Sequence, residues 1–209
     1  CTIIAQSLTS TFTKDIKINS EYWGKHTFKS GDTVSILGYT KYLGSNLFAI
    51  ETTDYIEIIE SVDIPFDVTE KEIKKLPKTT NSKFKASFAT KQEELLLQKK
   101  REYKDRALNG DIWFIYRDSY YFIPSIRDIS KGDTIHILGY KEVFHDYYYI
   151  LYTNKDAGSF KSYTEIIPSS INTLYLPSID DTDVKIAVKQ RKLEIEQKKK
   201  DEKIKFTKF

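Results

Sequence analysis

Gly31-Asp-Thr-Val-Ser-Ile-Leu-Gly-Tyr39 and Gly132-Asp-Thr-Ile-His-Ile-Leu-Gly-Tyr140 are almost one phrase, written twice at a spacing of 101 residues. Seven of the nine positions are identical, Val34/Ile135 is conservative, and only Ser35/His136 differs in kind. Agreement of that length at one spacing marks an internal duplication. With the spacing kept, residues 47–52 meet 148–153. Beyond them the second copy reads as carrying seven extra residues, 154–160, in a longer hairpin loop, after which 55–59 rejoin 163–167. Each copy ends in a charged stretch with a similar phrase, Ala89-Thr-Lys-Gln92 and Ala187-Val-Lys-Gln190. One unit is therefore predicted to be a β-rich body of about 65–75 residues followed by a helix of about six turns.

The chain around this repeat has 209 residues, which fits one domain or two small ones. Thirty-three basic and 30 acidic residues leave a net charge of +3, so no global field draws it to nucleic acid. Fifteen Tyr and twelve Phe against eight Gly and five Pro favour strands filled by aromatic side chains. No run of 18 or more apolar residues occurs, so no spanning helix is expected. Met is absent even at position 1, which reads as a processed or truncated chain. The lone cysteine, Cys1, fits a bacterial lipoprotein cut before an acylated cysteine. Two rival readings stay open: the tail of an ordinary secretory signal, cleaved near Ala5 or Gln6, and an arbitrary cut.

Hydrophobic alternation and turn residues then place the elements. The predicted order is an anchor or signal remnant at 1–9, a β-body at 10–66, a linker at 67–83 and a helix at 84–108. A second body at 110–178 and a C-terminal helix at 183–206 complete it. Strands are expected at 12–18, 33–37, 47–52 and 55–59 in the first copy. In the second they are expected at 111–116, 120–123, 134–138, 147–153 and 163–167. At about 1.5 Å per residue the helices are too long for the bodies they follow, and they are expected to protrude, pair or meet a partner.

Phe28-Lys-Ser-Gly-Asp-Thr-Val-Ser-Ile-Leu-Gly38 and Ile129-Ser-Lys-Gly-Asp-Thr-Ile-His-Ile-Leu-Gly139 resemble the central stretch of bacterial SH3-like (SH3b-type) domains. In that family a Lys-Gly-Asp turn enters a strand of alternating aliphatics. Phe48-Ala-Ile50 and Tyr149-Ile-Leu151 resemble the next strand of the family, and 55–59 with 163–167 the closing one. The closing strand lacks the family's usual glycine-aromatic pair, and its arginine-rich second strand is missing. The resemblance implies two small five-stranded β-barrels, each followed by a charged helix. It also implies binding of cell-wall material, peptides or proteins without chemistry.

Catalytic and metal signatures are sparse. The three histidines, 26, 136 and 145, have no ligand spacing, and His136 is expected on a solvated face. No Gly-x-Ser-x-Gly elbow, phosphate-cradling glycine loop or dinucleotide fingerprint occurs, and no cofactor is expected. Asp180-Asp181 and Glu93-Glu94 read as helix-start or helix-face charges rather than an acid/base pair. The lysine-rich helices interleave with acids, so a solvated face is expected rather than a nucleic-acid groove. Aromatics are the remaining signal. Tyr120, Tyr121, Tyr147 and Tyr149 are candidate outward platforms for sugar rings or protein surfaces, as are Tyr22 and Trp23 in a loop; Trp113 is assigned to the core. Cross-strand stacking within a small sheet is the competing account of the strand tyrosines.

The resulting expectation is an exported protein, either a membrane-anchored lipoprotein through Cys1 or a periplasmic or extracellular one. It would be a non-catalytic adaptor whose partners are other envelope proteins, with two modules gaining effective concentration when both engage. Peptidoglycan binding is the alternative, and a hydrolase with an unrecognised site is the alternative of another class.

Overall fold

The structure, a computed structural model, describes residues 7–20, 24–52, 55–76, 85–117 and 129–207. The chain divides into two compact units, Cys1–Leu97 and Gln98–Phe209. The first holds β1 (Leu8–Thr11), β2 (Ile16–Ser20), β3 (Gly24–Phe28), β4 (Thr33–Tyr42), β5 (Ser45–Glu51), β6 (Ile56–Ser61) and the short α1 (Glu70–Ile73). The division falls within α2 (Lys85–Asn109). The second unit holds β7 (Trp113–Ile115), β8 (Thr134–Val143), β9 (Asp146–Tyr152), β10 (Ala157–Ser162), a 3₁₀ turn (Thr173–Tyr175) and α3 (Thr182–Thr207).

The expected barrels are not formed. In the first unit an antiparallel sheet runs β1-β4-β5-β6, and β2-β3 is a separate hairpin; in the second the order is β10-β9-β8-β7. Closure requires the first and last strands to pair along their length; among the described residues the second sheet shows no such pairing, and the first has in its place a single bridge, Phe12 with Phe66, just past β6. The reason lies in what the sheets bury. Asn46 through Ile50 of β5 are five consecutive buried residues, so both faces of that strand are covered, whereas a small barrel buries alternate residues.

One face of the first sheet packs Ile36, Phe48, Ile50 and Ile59 against Phe12, Phe28, Phe66, Ile73 and Leu76. The other packs Leu47 and Ala49 against Phe88 and Leu95 of α2. The second unit repeats the plan. Ile135, Ile137, Tyr149, Leu151 and Phe160 meet Ile112, Ile166, Ile167 and Leu176 on one side. Leu138 and Ile150 meet Val184 of α3 on the other. Burying Phe88 and Leu95 contributes about 1.5–3 kcal/mol each, which holds the first helical turns on their sheet.

A shared irregularity makes this two-sided packing possible. The β4–β5 register slips between Ile36 and Gly38, and the β8–β9 register slips between Ile137 and Gly139. The extra residue, Leu37 or Leu138, turns to the helix face, and Tyr39 or Tyr140 returns to the face of the preceding isoleucine. The Gly-Asp turn entering each strand is likewise the same object twice. Asp32 Oδ2 accepts the Lys29 N–H at 2.7 Å and Asp133 Oδ2 accepts the Ser130 N–H at 2.8 Å. Gly31 and Gly132 sit at φ of 93° and 92°, a left-handed conformation that such a turn requires.

The duplication is more regular than the sequence reading has it. β4, β5 and β6 map onto β8, β9 and β10 with the 101-residue spacing unbroken. The seven-residue insertion therefore does not exist: Ala157–Ser162 is the counterpart of β6, and 163–167 is not a strand. The Tyr55/Tyr163 likeness is a coincidence of composition. The true counterparts share little beyond the buried pair Ile59 and Phe160. Two further expectations change. β1 starts at Leu8, inside the stretch read as anchor remnant. Within the stretch read as linker, Ile73 and Leu76 are core residues, behind a capping box in which Thr69 and Glu72 satisfy each other's backbone N–H. The strand expected at 120–123 lies outside the described residues.

Gly139 sits where the chain before α3 crosses β8. A Cβ there would stand 2.9 Å from Val184 Cγ1 and 3.4 Å from Pro177 O. Gly139→Ala is expected to destabilise the second unit by about 1–3 kcal/mol, read as a lower midpoint in chemical denaturation. At the turn, the Lys155 ammonium and the Ser130 N–H hold the Asp133 carboxyl below the usual carboxylate range. A depressed folded value contributes stability above the unfolded pKa that is lost as pH falls through the folded one. Asp133→Asn should therefore flatten the loss of stability of the intact chain below about pH 4, measured as thermal midpoint against pH.

Candidate binding groove

Of the residues singled out from sequence, Cys1, Tyr22, Trp23, Tyr120 and Tyr121 lie outside the described residues. Tyr149 is not an outward platform. It is 1% exposed, its hydroxyl donates to Thr164 O at 3.4 Å and accepts the Ile166 N–H at 3.1 Å, and burial drives its phenol well above the usual range. Tyr147 is half-buried against the same core, 6.4 Å from the Tyr140 ring. Both faces of β9 are covered, which is why alternation exposes neither set of tyrosines.

Trp113 and His136 also differ from expectation. Trp113, assigned to the core, is 50% exposed on the edge strand β7. His136, expected on a solvated face, is half-buried: Nδ1 donates to Gly110 O at 2.7 Å and the ring stacks on Tyr152 at 4.5 Å. The Arg191 guanidinium lies 5.2 Å from the Tyr152 ring centre, and burial raises that phenol while Arg191 opposes the shift. Cross-strand stacking accounts for this cluster. Among the described residues the most exposed aromatics of the second unit are Phe144, 95% exposed at the β8–β9 hairpin tip, and Tyr163, 82% exposed just after β10.

The first unit carries a groove of about 420 Å³ that sequence reasoning missed. Ile56, Glu57, Ile58 and Glu60 of β6 form its floor, Lys17 to Asn19 of β2 one wall, and Ala86, Ser87, Thr90, Lys91 and Glu94 of α2 the other. Phe88 and Leu95 fix the helix on the sheet, and the helical stripe beside them carries small residues at 86, 87 and 90. That low wall leaves the space open. Lys91 bridges Glu60 at 3.7 Å and Glu94 at 3.2 Å, and Ser45 Oγ donates to Glu60 at 2.9 Å. Among the described residues Glu57 makes no ion pair.

Because β6 ends its sheet, the groove runs along a strand edge that is unpaired among the described residues. The Thr52 N–H donates to Tyr55 O at 3.0 Å, which fixes the hydrogen-bonded rungs of the β5–β6 ladder. Alternation then turns the backbone of Glu57, Ile59 and Ser61 toward β5 and that of Ile56, Ile58 and Glu60 outward. Among the described residues the lining has no imidazole or thiol. Its chemistry is backbone hydrogen bonding, apolar contact and charge.

No protein-family model, curated protein or solved structure matches the chain. Among the described residues no group of three or more His, Cys, Asp or Glu could hold a metal ion, and no helix is long and apolar enough to cross a membrane.

The burial of the β9 tyrosines is directly testable. Tyr149→Phe leaves the buried Ile166 N–H without its acceptor and is expected to cost about 1–3 kcal/mol in denaturant unfolding. Tyr147→Phe should stay within about 0.5 kcal/mol of the parent.

Proposed function

We propose that this protein is a non-catalytic adaptor that holds a peptide segment of a partner protein in the groove of its first unit. The observation that carries this reading is the groove itself, open along an unpaired strand edge and lined by side chains suited to contact rather than to nucleophilic or metal chemistry. The duplication supports it, since two copies of one scaffold on one chain suit simultaneous engagement of two sites. A place in the bacterial cell envelope belongs to the same proposal and rests on the resemblance of the Gly-Asp turns.

A second reading has its own observation. Phe144 and Tyr163 expose two rings in the second unit, and Lys161 binds Asp146 at 2.7 Å with its ammonium 5.6 Å from the Tyr163 ring. Aromatic faces flanked by polar groups suit a glycan surface. Co-sedimentation of the full chain with purified peptidoglycan, abolished by Phe144→Ala with Tyr163→Ala, would favour it.

The peptide reading is tested by selecting a displayed random-peptide library on the full chain. Enriched peptides are expected to lose at least about tenfold in affinity for Thr90→Trp, which fills the groove from an exposed helix position. No enrichment, or equal affinity for the filled variant at an unchanged Tm, would overturn it.

A further inference from the structure

We propose that the segment taken up by the groove is bound as an added strand, pairing through its backbone with the outer edge of β6 to make a fifth strand of the first sheet. The inference deepens the peptide reading and rests on it.

The outward backbone groups are those of Ile56, Ile58 and Glu60, and these three residues all line the groove. Their N–H and C=O groups are paired with no other strand among the described residues. An extended chain laid along them meets donors and acceptors at strand spacing, over about 13 Å from the first rung to the last. A helical ligand would satisfy its own backbone and leave this edge unused. A ligand recognised only through one side chain would not need a groove running along the strand.

The side chains set what kind of strand fits. Ile56 and Ile58 share the α2 face of the sheet and are half-buried, so residues of the ligand on that face are apolar and lie over the small side chains of Ala86 and Thr90. Glu57 projects from the opposite face of β6, and a basic residue of the ligand pairs with it. The preferred ligand is thus an extended segment that alternates apolar and basic residues. The glutamates also disfavour self-association along this edge. Two copies pairing along β6 would bring Glu57 and Glu60 of one edge against those of the other, and charges at exposed edges deter such pairing.

The test uses the tightest peptide from the library, resynthesised with single N-methyl groups at successive backbone nitrogens and titrated against the full chain. Strand addition predicts an alternating pattern. Methylation at every second residue costs about tenfold or more, because it removes a hydrogen bond to β6 and crowds it, and the residues between tolerate the methyl group. Loss without a two-residue period, for a peptide that Thr90→Trp still displaces, overturns strand addition and leaves the peptide site standing. A peptide indifferent to Thr90→Trp overturns the site and the strand together.

Discussion

A single extra residue in the second leg of the Gly-Asp turn governs each unit. Leu37 and Leu138 interrupt the ladder at the same place in the two copies and send one side chain through to the helix face. Without the slip, Ile36 and Tyr39 would stand on opposite faces, and the Tyr39–Phe48 stack at 5.4 Å would be broken. With it, each sheet presents apolar side chains on both sides. The β2–β3 hairpin, α1 and loops cover one side in the first unit, loops and the end of α2 cover it in the second, and the following helix covers the other side. The small residue after the bulge then allows close approach: a methyl group at Gly139 would press on the Val184 side chain of α3.

Two-sided burial also decides the fate of the sheet edges. A sheet that curls into a barrel spends its terminal strands on each other, whereas here the outer edge of β1 meets only the short stretch after β6, through the Phe12–Phe66 bridge, and β6 itself keeps an open edge among the described residues. The groove follows from that arrangement, with the helix anchored by Phe88 and Leu95, its neighbouring stripe kept low by small side chains, and β6 exposed between. Lys91 sets one ammonium between the carboxylates of Glu60 and Glu94, while Glu57 beside them makes no ion pair among the described residues.

The duplication, the Gly-Asp turns and the aliphatic strand after them were legible because each depends on local chemistry: a glycine at positive φ, an Asp accepting a backbone N–H, and period-two alternation. The terminal strand of the second copy was not. Ala157-Gly-Ser-Phe-Lys-Ser162 has weak strand propensity and is held by its ladder to β9, so a chance likeness at Tyr163 outweighed it. The tyrosines misled for a related reason. Alternation says that Tyr148 and Tyr149 face opposite ways, but only the tertiary structure says that both sides are covered. The groove itself had one trace in the sequence, the small residues Ala86, Ser87 and Thr90 around Phe88 at the start of a long charged helix. That trace has meaning only once β6 is known to end its sheet.

The open edge of β6 is the claim on which the binding account stands, and amide hydrogen exchange in the free full chain reads it residue by residue. The account predicts fast exchange at Ile56, Ile58 and Glu60, alternating with protection at Glu57 and Ile59, whose N–H groups bond to β5. Uniform protection from residue 56 to residue 60 would mean that another strand already occupies the edge, and would contradict it.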